Sequence, residues 1–179
     1  MSRAVSSLLL LAAIGSWGAG TAEARAAGAN RAALAAVMND ATGTLQDGLK
    51  ASEREGTPLS AKFEIEGGRF QLSVYTINGN DFIEVVVDPK TGVIAKAEKI
   101  TNAEDLKAAT LQKEAMAKAR MPLLMAAENA VKANACFRAV SIFPELKNGE
   151  ANAEVILSAW GLFKKITQKL NCGYENTLC

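Results

Sequence analysis

The chain has 179 residues, 49% of them hydrophobic and 22% charged, with a formal charge of +1 and no histidine. That apolar fraction supports a packed core in one domain or two small ones and excludes disorder, while near-neutral charge argues against a nucleic-acid binder, which needs a basic face. Without histidine there is no Ser-His-Asp or Cys-His nucleophile pair, no imidazole acid–base chemistry and no imidazole metal ligand.

Residues 1–24 read as an export signal. Arg3 supplies the positive n-region, Leu8 to Ile14 the apolar h-region, and Ala22-Glu23-Ala24 the A-x-A site that places cleavage after Ala24. The apolar run is too short to span a bilayer, and no later stretch is a transmembrane candidate. The expected product is Arg25 to Cys179, soluble and periplasmic or secreted.

Asn30 is positioned to cap a helix running to about Ser52, with Leu34, Val37, Met38, Leu45 and Leu49 as its apolar stripe and Gly43 and Gly48 weakening it. Alternation follows, with Leu59, Ala61, Phe63 and Ile65 on one face and Ser60, Lys62, Glu64 and Glu66 on the other. Gly67-Gly68 turns the chain into Phe70, Leu72 and Val74, and Asn78-Gly79 is a hairpin signal before Phe82 to Val87. Asp88-Pro89-Lys90-Thr91-Gly92 turns again into Val93 to Lys99. Thr101 with Glu104 forms a capping box that opens a helix through Arg120, read as a solvated spacer in which Thr101→Ala would cost about 1 kcal/mol. Pro122 then falls in the first turn of another helix, with Leu123, Leu124, Ala127 and Val131 on its buried face.

Shifting the sequence by 81 positions lays the segment from Pro58 onto the one from Ala139 without gaps. Ser60 falls on Ser141, Glu64 on Glu145, Gly68 on Gly149, Val74 on Val155, Phe82 on Phe163 and Gly92 on Gly173. The chain therefore reads as two copies of one unit, residues 25–101 and residues 102–179, the second carrying the linker helix. Each unit is a helix followed by an antiparallel meander. The predicted fold is α+β, with both units building a broad sheet that has helices on one face.

These residues resemble the PepSY domain family. The resemblance rests on a helix that breaks before FEIEGGRFQLSVYTI, on a strand closing with VVVDPKTGVIAK, and on MPLLMAAENAVKANACFRAVSIF as a second opening helix and strand. The second copy departs from the pattern where Lys169, Leu170, Asn171 and Cys172 stand in place of Asp88, Pro89, Lys90 and Thr91. The resemblance implies an exported, non-enzymatic protein-binding module, an inhibitor or modulator of a secreted or periplasmic peptidase, with no cofactor and no catalytic residues. Tandem copies resemble β-lactamase-inhibitor-type folds. The alternative is a small-ligand carrier or sensor using the cleft between the units.

Candidate chemistry is sparse. Glu64 and Glu66 lie on the polar phase of a strand and read as a solvated face rather than an acid–base dyad. Asn78, Asn80 and Asp81 lack EF-hand spacing, Gly67-Gly68 opens no helix that would cradle a phosphate, and Cys136 has no histidine base. The three cysteines give no metal-ligand spacing. Of the possible bridges, Cys172–Cys179 closes a small loop worth about 2.5 kcal/mol and Cys136–Cys172 a larger one worth about 4 kcal/mol, and the local pair is the expected one. For partner binding the candidates are Trp160, which the repeat places at a hairpin tip, Tyr75 on the outward phase of its strand, and Asn78 and Asn80 at the matching tip of the first unit.

Overall fold

The computed structural model describes residues 31–171, so the signal, its cleavage site, Asn30 and the Cys172–Cys179 pair lie outside the described residues. The first helical stretch is two helices, not one. Helix α1 covers residues 31–38, and α2 (Leu45–Ser52) begins only after a break. Thr44 caps α2 through a reciprocal pair with Asp47: the Asp47 amide donates to Thr44 Oγ1 at 3.1 Å, and the Thr44 amide donates to Asp47 Oδ2 at 2.9 Å. The break is pinned from outside, because the Gly43 amide donates to the Pro89 carbonyl at 3.0 Å and the Thr42 hydroxyl to that of Lys90. Gly48 is required by close packing, since a Cβ there would lie 2.1 Å from Leu72 Cδ2.

Seven strands follow the expected meanders: β1 (Thr57–Glu66), β2 (Arg69–Asn78), β3 (Asp81–Val87), β4 (Ile94–Lys99), β5 (Arg138–Lys147), β6 (Glu150–Ala159) and β7 (Leu162–Lys169). They form one antiparallel sheet in the order β4-β3-β2-β1-β5-β6-β7, and the fold is α+β with helices packed on that sheet. The displacement of 81 recurs in the backbone pairing. Ala61 lies opposite Val74 as Ile142 lies opposite Val155, and Val74 opposite Val85 as Val155 opposite Ile166. The register slips between Pro58 and Ser60 in the first copy and between Ala139 and Ser141 in the second. Where β1 meets β5, Ala61 faces Ile142, its own counterpart, so a local two-fold axis passes through the seam.

That slip corrects the reading of β1. Leu59 does not share a face with Ala61 and Phe63: the bulge turns it to the opposite side, where it packs with Tyr75, Ile100 and Ala109. The larger core lies on the other face, where Phe63, Leu72, Val74 and Val85 from the first half and Ile142, Ala153, Val155 and Leu157 from the second meet the helices. Helix α2 buries Leu45, Gly48, Leu49 and Ser52 there, and α4 (Leu123–Lys132) buries Leu123, Ala126, Ala127 and Ala130. The four buried helix positions repeat at 78 rather than 81. Three extra residues between α4 and β5 make up the difference, in a stretch where Cys136 takes φ +71°. Arg138 then ties the halves together, donating from Nη1 to the Met38 and Ala41 carbonyls at 3.1 and 3.0 Å and from Nη2 to that of Gly43 at 2.8 Å.

The linker helix α3 (Ala103–Met116) differs from expectation in three respects. Its cap is Asn102, whose Oδ1 accepts from the Glu104 and Asp105 amides at 2.8 and 3.3 Å; Thr101 and Glu104 form no capping box. The helix ends at Met116 instead of Arg120, because the Arg120 and Met121 amides turn away to the Leu170 carbonyl at 2.8 and 3.0 Å. Pro122 stands just outside α4 as its N-cap, with extended backbone. Nor is α3 a solvated spacer. It lies across the sheet face opposite α2 and α4 and buries Asp105, Ala108, Ala109, Gln112 and Ala115, and Ser60 Oγ donates to Gln112 Oε1 at 2.8 Å.

Candidate functional site

The β6–β7 hairpin turns through Trp160 and Gly161, both with positive φ (+49° and +78°), as a two-residue turn that matches strand twist requires. Glycine or asparagine normally fills the first of these positions, and the first unit has Gly79 there at φ +61°. Trp160 takes that conformation with little packing in return, being 81% exposed, and Leu162 beside it is 65% exposed. Ile65 and Val93 are also exposed and reach the same end of the sheet, where β1 ends and β4 begins. Arg69, Lys90 and Lys164 lie at the same end and form no salt bridge among the described residues, Lys164 Nζ instead donating to Asn134 Oδ1 at 2.7 Å. Behind the indole is a hollow of about 200 Å³ bordered by Met38, the exposed Cys136, Arg138 and Ser158.

The other predicted binding residues are not brought to this end. Tyr75 does point away from the main core, but α3 covers that face, leaving the ring 3% exposed and packed with Leu59, Ile100 and Ala109. Burial pushes its hydroxyl above the ordinary phenol range, with Glu84 and Asp105 adding to the shift. Tyr75 is thus a core residue, not a docking residue. Asn78 and Asn80 sit at the far tip, about 30 Å away along ten-residue strands. Asn78 Nδ2 donates to the Glu55 carbonyl at 3.3 Å, and Asp81 pairs with Lys99 at 2.6 Å, so this turn is occupied in holding itself. Beside it an open hollow of about 580 Å³ lies between the two halves, bordered by Pro58, Ile77, Asn78, Met116, Pro122 and Leu124.

The polar phase of β1 is more enclosed than a solvated face. Glu64, Glu66 and Glu84 are half-buried, with one carboxylate oxygen of each within 4.8 Å of the other two. Lys62 pairs with Glu64 at 2.5 Å, the Ser73 hydroxyl donates to Glu64 at 2.5 Å, and Gln71 Nε2 donates to Glu66 at 2.8 Å. Burial, then Glu66 and Glu64, push the Glu84 carboxyl upward. Glu84 is not legible from sequence because it approaches Glu64 and Glu66 across strand β2, through the β1–β2 and β2–β3 registers together. The Asp88 turn is structural: its Oδ1 accepts from the Lys90 and Thr91 amides at 2.9 and 2.8 Å and from the Thr91 hydroxyl at 3.0 Å, which holds the carboxyl below its ordinary range.

No helix among the described residues is long and apolar enough to cross a membrane. No protein-family model and no curated protein matches the chain. Among solved structures, a candidate lipoprotein from Clostridium difficile 630 is similar at 16% identity and a TM-score of 0.38, over 69% of this chain and 82% of that one, a likeness too distant to bear on fold or function.

Proposed function

We propose that the protein is an exported, non-enzymatic binding module of the PepSY type that modulates a secreted or periplasmic peptidase, docking through the end of the sheet that carries Trp160. One observation carries the reading: an indole 81% exposed at a backbone position that favours glycine. A large apolar side chain left mostly in water at a backbone position that disfavours it points to a use outside the fold. Tryptophan is the residue type that most often anchors an interface, and removing such an anchor typically costs 2 kcal/mol or more of binding, about thirtyfold in Kd. Leu162, next to Trp160, and Ile65, at the nearer end of β1, widen the apolar contact, while Arg69 and Lys164 suit a polar rim. The test measures secreted peptidase activity of the exporting cell against added wild-type protein and Trp160→Ala. Inhibition by wild type that Trp160→Ala loses supports the reading; equal inhibition by both removes Trp160 from the site, and no inhibition by either removes the peptidase.

A second reading has its own support in the hollow of about 580 Å³ between the halves, within the size range of small-ligand sites. A carrier would retain its ligand through purification. Native mass spectrometry of protein from the exporting cell then shows a mass above that of the chain, and the chain mass alone sinks this alternative.

A further inference from the structure

We propose that α3 is a pH-gated clasp: ionisation of the carboxylates where its N-terminal half meets β1, β2 and β3 loosens the helix from the sheet, and their protonation seats it. This inference is independent of the docking role given to Trp160. The grip of α3 is small. Helix α2 buries Leu45 and Leu49 completely, whereas the buried apolar residues of α3 are the small Ala108, Ala109 and Ala115, its larger Leu106 and Met116 are only partly buried against the sheet, and Leu111 is exposed. Among the buried residues of α3 is Asp105, 3% exposed, whose Oδ1 has no hydrogen-bond partner. A buried carboxylate oxygen without a donor is costly when charged and far less so when protonated.

The groups around Asp105 deepen that cost. Strand β1 presents Lys62, Glu64 and Glu66, β2 presents Tyr75, β3 presents Glu84, and the helix adds Glu104. On the same face β4 carries Glu98, opposite Glu84 and paired with Lys96 at 2.8 Å, and β5 carries the uncharged Ser141, opposite Lys62. Glu64, Glu66 and Glu84 each place one carboxylate oxygen within 4.8 Å of the other two, and the cation among them, Lys62, is already paired with Glu64 at 2.5 Å. Burial raises Asp105 above the ordinary carboxyl range against lesser pulls from Tyr75 and Lys62, and Glu84 is raised as well. A carboxyl raised in the docked state favours docking fully below the ordinary carboxyl range and ceases to favour it as pH rises through the raised value. Seating is therefore firmer in acid than at neutral pH.

Hydrogen exchange of the amides in residues 103–116, corrected for intrinsic rates and measured on the whole protein in chelator-containing buffer, reads this directly. We expect the opening equilibrium of α3 to be about tenfold smaller at pH 4.5 than at pH 7.5, with α2 and α4 unchanged. Asp105→Asn should keep α3 closed at both values, while Glu104→Gln on the exposed side of the same turn should retain the response. Equal protection of wild-type α3 at the two pH values overturns the proposal, as does a tenfold response that survives in Asp105→Asn. If that variant fails to fold, Glu84→Gln is read instead; it must diminish the response, and an undiminished one overturns the clasp.

Discussion

Replacing Trp160 by glycine should leave the fold intact, or slightly firmer, while abolishing partner binding. A side chain in the left-handed region costs about 1–2 kcal/mol relative to glycine, and Trp160 holds φ +49°. Against this, the indole buries only about a fifth of its surface, on the order of 50 Å², which at about 25 cal/mol per Å² contributes about 1.2 kcal/mol. The two effects nearly cancel, so the net change lies between neutral and about 1 kcal/mol of stabilisation. Urea unfolding followed by far-ultraviolet circular dichroism measures it without relying on the residue removed. A loss above about 2 kcal/mol would refute the reasoning, because it would mean that the indole is held against the hollow behind it. Trp160→Asn provides a control, since asparagine tolerates the same backbone and should match glycine in both readouts.

Gly48→Ala should destabilise by about 1–3 kcal/mol, because the new methyl group meets Leu72 at 2.1 Å, and adding Leu72→Ala should make the second substitution less costly than it is alone; a double-mutant cycle in urea checks both. Asn102→Ala should cost about 1 kcal/mol while Thr101→Ala stays within about 0.5 kcal/mol, the reverse of the sequence-based expectation, and thermal melts of the two rank them. Arg138→Met, which keeps the stem but removes three donors from the carbonyls of Met38, Ala41 and Gly43, should cost about 2–3 kcal/mol and raise hydrogen exchange first in residues 39–44. Asp47 has its carboxyl lowered chiefly by hydrogen bonds from the Thr44 side chain and backbone, so its stabilising contribution is present above the ordinary carboxyl range and lost as pH falls through the lowered value. Asp47→Asn should accordingly flatten the acid limb of a stability-against-pH curve.

Strands were legible wherever alternation and turn glycines agreed, and the displacement of 81 carried them across both halves. Leu59 shows the limit of alternation, since one bulge residue moves it to the other face while the residues after it keep their phase. The first helix was misread for a different reason. Its break at Thr44 depends on carbonyls of the turn at Pro89 and Lys90, contacts that no local window contains. Tyr75 followed the right phase to the wrong environment, because α3 covers the face it points from. Trp160 was placeable at a tip since the turn is local, whereas Asp105, Glu84 and Arg138 became notable only through partners far away in sequence.

The seam at Ala61 and Ile142 bears on how such a molecule is held together. Two equivalent strands meeting antiparallel across a two-fold axis is the geometry by which identical subunits associate. A single unit made alone would carry β1 as an open edge able to pair with β1 of another copy in the same register, and its association would depend on concentration. The segment that contains α3 makes the encounter intramolecular, at an effective concentration set by its length. Cutting the chain between Ala117 and Arg120 should therefore yield two fragments that still find each other, but whose joint stability rises with the amount of protein in solution.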